Sequence, residues 1–176
     1  MKSDDEGFGT VARAIHWASA LLILVLIASG FASGFSEDAA VKTAALRVHL
    51  PVALMVLALT VLRVVWWWRL DTRPAPIAGL PAWQDAAARW THRALYVAIA
   101  TLLASGIAMA ALSGLPDALF GPAPLPDLAA LPPRAGHAIA ARLILAAIVL
   151  HVAAALYHHW ILRDATLRRM WRRPAA

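Results

Sequence analysis

A chain of 176 residues fits one domain, and 61% hydrophobic against 15% charged residues, with a mean hydropathy of +0.67, excludes an ordinary soluble one. The absence of cysteine excludes disulfides, thiolate zinc sites, iron–sulfur clusters and covalently attached haem, so any metal or haem is held by His, Met or carboxylates. The net charge of +6 sits in residues that flank apolar runs, the pattern of membrane topology signals and not of a nucleic-acid surface.

Residues 1–10 are polar and are expected to be loosely ordered. Asp4-Asp5-Glu6 precede the first apolar run, which lacks a small-x-small site and is long enough to span, so it does not read as a cleavable signal peptide. The first span is expected at about 13–35, with His16 and Trp17 near its start and Ser36-Glu37-Asp38 at its end. A short connection leads to a second span at about 46–68, with His49 and Pro51 in its first turns, where proline is tolerated. Trp66-Trp67-Trp68 followed by Arg69 forms an interfacial belt with a charged stop. Residues 71–85 hold Pro74, Pro76, Gly79 and Pro81 and form a connector, with an interfacial turn at Pro81-Ala82-Trp83-Gln84. The third span is expected at about 89–112, with His92 near its start. Residues 113–134 carry six prolines and are expected to be irregular or single-turn structure. The fourth span is expected at about 138–162, followed by a basic tail. The whole is read as a single all-α domain, 1–176, an integral membrane four-helix bundle.

Four spans put both termini on one side. Twelve of the sixteen basic residues, Arg172 and Arg173 among them, then fall on that side, and only Lys42, Arg47, Arg134 and Arg142 near the other. The positive-inside rule places both termini in the cytoplasm of a bacterial inner membrane, multi-pass. All eight tryptophans lie towards the same side, as an aromatic belt does.

Seven histidines remain to be explained, and an ionisable residue within a span is costly without a role or a partner. His137 and His151 lie on one helix, fourteen residues apart. That spacing is about 21 Å of rise and roughly 40° short of four turns, so both rings leave the same face near opposite sides of the bilayer core. By depth, His49 pairs with His137 towards the outside, and His16 with His151 towards the cytoplasm. One ligand from each of two helices at each level is the arrangement for two bis-histidine haems b in a bundle. His92 is the one histidine that could displace His16. A transition-metal path competes, but it would call for carboxylates among the histidines, and none lies within a span. Gly30, Gly34, Ala104, Ser105, Gly106, Ala138 and Ala140 would let a macrocycle or another helix approach. Arg13, Arg47, Arg63, Arg134 and Arg142 lie near the two levels, where they could bind propionates or act only as topology signals.

The segments RAIHW (13–17), RVHLPVALMVLALTVLRVVWW (47–67) and GHAIAARLILAAIVLHVAAALYHHWILRDATLRRM (136–170) resemble the bacterial cytochrome b561 family, and the resemblance covers nearly the whole chain. Within that family the chain is similar to the members that take electrons from superoxide and give them to ubiquinone. The resemblance implies His16 with His151 on a cytoplasmic-side haem b, His49 with His137 on a periplasmic-side haem b, and a quinone site near His158. The third span matches less specifically and residues 113–134 match poorly.

Two redox roles follow as expectations. The first is a superoxide:quinone oxidoreductase in the lipid bilayer, with Lys42, Arg47 and Arg134 as a cationic approach for an anionic substrate against Glu37, Asp38, Asp117 and Asp127. The second is an electron-transfer subunit linking quinone to a partner redox protein, such as a dehydrogenase or hydrogenase. A non-redox membrane protein with structural histidines is the third reading. His158 lies seven residues after His151, on nearly the same face and about 10 Å further along. It is placed to donate a hydrogen bond and a proton to a quinone carbonyl. His159 is turned about 100° away, and Pro81 to Asp85 offer the other wall of that pocket.

Overall fold

The computed structural model describes residues 2–4, 7–77 and 79–171; Asp5, Glu6, Arg172 and Arg173, used in the charge arguments, lie outside the described residues. All regular structure among the described residues is helical. Four helices are long and apolar enough to cross a membrane: α1 (Thr10–Phe35), α2 (Ala39–Val65), α3 (Ala82–Ser113) and α5 (Pro133–Tyr157). Two short helices, α4 (Leu115–Phe120) and α6 (Arg168–Trp171), complete the fold. Both α2 and α5 run on into one π-helical turn, Trp66–Leu70 and His158–Leu162.

The long helices are apolar on every face. Leu24, Val97 and Leu150 are 54%, 66% and 69% exposed, and in water such surfaces would associate. In a bilayer they meet lipid, and the helix satisfies its own backbone. The buried set is small and polar groups within it are bonded: Ser19 donates to Ile15 O at 2.6 Å and Ser29 to Val25 O at 2.7 Å.

The helices pack as two pairs, α1 with α2 and α3 with α5. Ser36 closes α1, and Asp38 caps α2 by accepting from the N–H groups of Ala40 and Val41. The tightness of that turn forces the pair antiparallel. Between the two pairs lies a cavity of about 920 Å³, towards the upper end of the range for small-molecule and cofactor sites (roughly 300–1,000 Å³).

The two ends are built differently. At the end bearing both termini, Arg13 Nη1 donates to Trp171 O at 3.3 Å and Trp17 Nε1 to Met170 O at 2.9 Å. Among the described residues of the first stretch, Ser3 and Gly9 are tied down there, contrary to the expectation from polarity. The buried Asp71 carboxylate accepts from Ser3 N, Ser3 Oγ, Trp66 Nε1 and Thr72 N, at 2.8–3.1 Å, and Ser3 Oγ accepts from Gly9 N at 3.0 Å. Burial alone would raise the Asp71 carboxyl, but these donors hold it below its ordinary value. The remote end is sealed by α4. Gly114 turns the chain there at φ +65°, a left-handed conformation that suits glycine. Leu115 and Leu119 then pack on Leu46 and Ala110, and Arg47 Nε donates to Leu119 O at 2.7 Å.

Every helix begins earlier than its apolar run suggested. Pro51 therefore lies three turns inside α2, not in its first turns, and leaves the Arg47 carbonyl without its i+4 donor. The turn expected at Pro81-Ala82-Trp83-Gln84 is the start of α3. Polar and proline-bearing first turns lie outside the hydrophobic slab, so apolar content alone reads the helices short.

Candidate functional site

The remote level is made by four residues, one from each long helix. His49 on α2 and His137 on α5 face each other with ring centroids 6.4 Å apart. Each ring is backed by the neighbouring helix of its own pair. Ser29 Oγ lies 3.1 Å from His49 Nδ1, and Ser105 Oγ 2.9 Å from His137 Nδ1. The residue after each serine is glycine, which makes room for the ring: a Cβ on Gly30 would lie 3.1 Å from His49 Cε1, and one on Gly106 3.5 Å from His137 Cε1. Both histidines and both glycines line the cavity.

The terminal level has the same helices but different chemistry. His16 on α1 and His151 on α5 have centroids 6.5 Å apart. His92 on α3 stands 5.3 Å from His151. Arg63 on α2 places Nη2 2.9 Å from His16 Nδ1; a guanidinium only donates, so Nδ1 accepts. His92 Nδ1 donates to Ala88 O at 2.7 Å, and His92 is exposed where His16 and His151 are half-buried.

The two helix pairs are copies of one plan. Thirteen residues separate His16 from Ser29 and His92 from Ser105; fourteen separate His49 from Arg63 and His137 from His151. An arginine stands three residues before both His16 and His92. The repeats run in the same direction through the slab, as in membrane folds built on an axis along the membrane normal. At the remote level the copies match, Ser with Ser and His with His. At the terminal level they diverge, because Arg63 stands where the second copy has His151.

This donor set fits haem. Two imidazoles holding one iron from opposite sides, at about 2 Å each, have centroids roughly 6–6.5 Å apart. The His49–His137 and His16–His151 separations meet that, and the His92–His151 separation is shorter. Among the described residues no three of His, Cys, Asp and Glu gather to hold a bare metal ion.

The other sequence candidates divide by end. His158, in the last turn after α5, is bonded through Nδ1 to Asp164 Oδ2 at 2.5 Å, and Asp164 Oδ1 accepts from Thr166 N at 2.7 Å. A carboxylate at neutral pH only accepts, so Nδ1 carries the proton and Nε2 is left for another partner. Burial pushes the Asp164 carboxyl up, but the bonds from Thr166 and His158 outweigh it and hold it below its ordinary value. At the remote end Lys42 and Arg134 line the cavity with Arg142, Glu37 and Asp127, and Arg134 reaches across to Gly34 of α1. Arg47 is exposed, does not line the cavity and anchors α4.

The family model for prokaryotic cytochrome b561 matches residues 7–173. The chain belongs to the prokaryotic cytochrome b561 family. It is similar to cytochrome b561 homolog 2 of Escherichia coli K12, 30% identical over 94% of this chain and 91% of that protein. It is also similar to cytochrome b561 homolog 1 of the same organism, 29% identical over 89% and 92%. A cytochrome b561 is a multi-pass bacterial membrane protein that carries electrons on haem b.

Ser29, the contact of Arg63 with His16, and the Asp164 partner of His158 escaped the sequence reading. The signal was present: Ala-Ser-Gly recurs at 28–30 and 104–106, each time thirteen residues after a histidine.

Proposed function

We propose that this cytochrome b561 binds two haems b, oxidises superoxide at its remote, periplasmic end and delivers the electrons to ubiquinone at its terminal, cytoplasmic end. The observation that carries the reading is the pair of facing imidazoles at each of two levels, 6.4 and 6.5 Å between centroids, with about 21 Å of helix between His137 and His151. His49 and His137 hold the remote haem, and His16 and His151 the terminal one. Haem supplies reversible one-electron transfer, so no nucleophile or general base is required at the remote end. With haem held through Nε2, His16 Nδ1 would carry a proton and could no longer accept from Arg63, whose guanidinium would then be available to a haem propionate.

The substrates set what the remaining residues do. Two superoxide ions give two electrons, and one quinone takes both with two protons to become quinol. Lys42, Arg134 and Arg142 outnumber Glu37 and Asp127 around the cavity, which favours approach of an anion. At the other end His158, whose Nδ1–H is held by Asp164, presents Nε2 to the quinone, where a second proton taken up from the cytoplasm makes the ring a donor to the quinone carbonyl. The carboxylate fixes the ring, so the proton is delivered along one direction. Residues 113–134 fold onto the core through α4 instead of extending as a docking loop, which favours a small substrate over a large redox partner.

The test is an optical one on purified protein. Superoxide should reduce both haems in the absence of quinone, and added ubiquinone should return them to the oxidised form with quinol appearing at half the superoxide consumed. The rate of the first step should fall as ionic strength rises, because steering is screened over about 10 Å at 0.1 M salt. Haems that stay oxidised under superoxide yet are reduced by a periplasmic redox protein would replace this reading with the electron-transfer subunit. A protein with no Soret band would replace it with a structural one.

A further inference from the structure

We propose that Ser29 and Ser105 are positioning residues that fix the tautomer and the ligand strength of His49 and His137, and so hold the remote haem at a lower potential than the terminal one. The inference rests on the reading of those two histidines as haem ligands.

A serine hydroxyl has one proton to give and lone pairs to offer. Ser29 spends its proton on its own helix, with Oγ 2.7 Å from Val25 O; Ser105 does the same, 2.7 Å from Thr101 O. What faces each imidazole is therefore an acceptor. Nδ1 of His49, at 3.1 Å, and Nδ1 of His137, at 2.9 Å, must donate. A neutral ring that donates from Nδ1 has its lone pair on Nε2, the nitrogen an iron needs. The protein therefore selects the ligating tautomer twice, with the same two residue types, on helices related by the internal repeat. Neither serine touches the reacting atoms; each acts through its histidine.

Such a bond also changes the ligand. A hydrogen bond from the far nitrogen raises the basicity of the imidazole. A more basic ligand favours ferric over ferrous iron and lowers the potential. The terminal level lacks this device. There the group beside His16 is Arg63, a cation that only donates and so cannot accept from the Nδ1–H of a ligating ring, and among the described residues no serine contacts His16 or His151. A cation beside a haem favours the state with the extra electron. The divergence between the two copies thus builds a downhill step for electrons from the remote level to the terminal level.

The test uses the haem-loaded protein with Ser29→Ala, Ser105→Ala and the corresponding Thr variants, which keep a hydroxyl able to bond the i−4 carbonyl. Redox titration should show the remote-haem potential raised by at least about threefold in the ferric/ferrous ratio, roughly 30 mV for one electron. The terminal-haem potential should stay put, and the low-spin ferric EPR g-values of the remote haem should move. The Thr variants should return both readouts towards wild type. Loss of the remote haem in an Ala variant, restored by Thr, also supports the inference. Ala variants with full haem content and unmoved potential and g-values overturn it, as does a loss that Thr leaves unrestored. His49→Ala and His137→Ala run beside them. If those two retain the remote haem, the ligand reading itself has failed, which is a different result from inert serines.

Discussion

Gly30→Ala tests how closely the remote level is fitted. The added Cβ would lie 3.1 Å from His49 Cε1 and 3.4 Å from Nδ1, closer than ordinary van der Waals contact. The ring has little room to retreat, because Ser29 holds Nδ1 at 3.1 Å on one side and the proposed haem iron would hold Nε2 on the other. Overpacking of this kind costs about 1–3 kcal/mol, and each 1.4 kcal/mol is tenfold in affinity. Haem affinity at the remote level should therefore fall by roughly 5- to 150-fold. Gly106→Ala is the matched control. Its Cβ would stand 3.5 Å from His137 Cε1 and 3.9 Å from Nδ1, ordinary contact, so haem binding should stay within about threefold of wild type. Both variants gain the same helix propensity, up to about 1 kcal/mol for Gly to Ala, so their difference isolates the contact with the ring. The assay is haem titration into apoprotein, read as two Soret phases, with thermal stability measured in parallel. Equal haem affinity in the two variants would refute the argument that Gly30 is there for the His49 ring.

At the terminal end, His158→Ala with both haems retained should leave reduction by superoxide fast and slow the reoxidation by quinone at least about tenfold, roughly 1.4 kcal/mol of barrier. Asp164→Asn should slow the same step by less, and an effect on haem reduction instead would move the quinone site elsewhere. Asp71 has its carboxyl held below the ordinary value of 3.8, so its contribution to stability is fully present above that value and is lost as pH falls through the lowered folded one. Asp71→Asn should cost about 1.5–3 kcal/mol, the scale of hydrogen bonds to a charged group. It should also speed hydrogen exchange in the N-terminal segment at pH 7, as acidification below the carboxylate range does in the wild type; unchanged protection would show that the latch is idle.

The bundle and the pairing of histidines were legible because they rest on long-range regularities. Apolar runs of spanning length and a fourteen-residue interval between His137 and His151 survive any detail of packing. The serines were not legible as partners of the imidazoles because Ser29 and His49 lie on different helices, and only the packing of α1 on α2 brings them together. The repeat that relates Ser29 to Ser105 could have been read, since both follow a histidine by thirteen residues, but its meaning needs the ring contacts. The N-terminal segment was read as loose because polar residues near a chain end carry no packing signal. Its order comes from Asp71, in a connector 68 residues beyond Ser3. In the same way the prolines of 113–134 hide α4, since Pro116 sits in the first turn of a helix, where proline is tolerated.

Haem counting in single-histidine variants tests most directly whether the chain holds two bis-histidine haems, one at each depth. Wild type should bind two haems b per chain. His49→Ala and His137→Ala should each bind one, with the terminal haem's EPR signature intact. His16→Ala and His151→Ala should each bind one, with the remote signature intact, and His92→Ala should keep two. Two haems in His151→Ala, or a His92→Ala variant that loses the terminal haem as completely as His16→Ala does, would contradict the account.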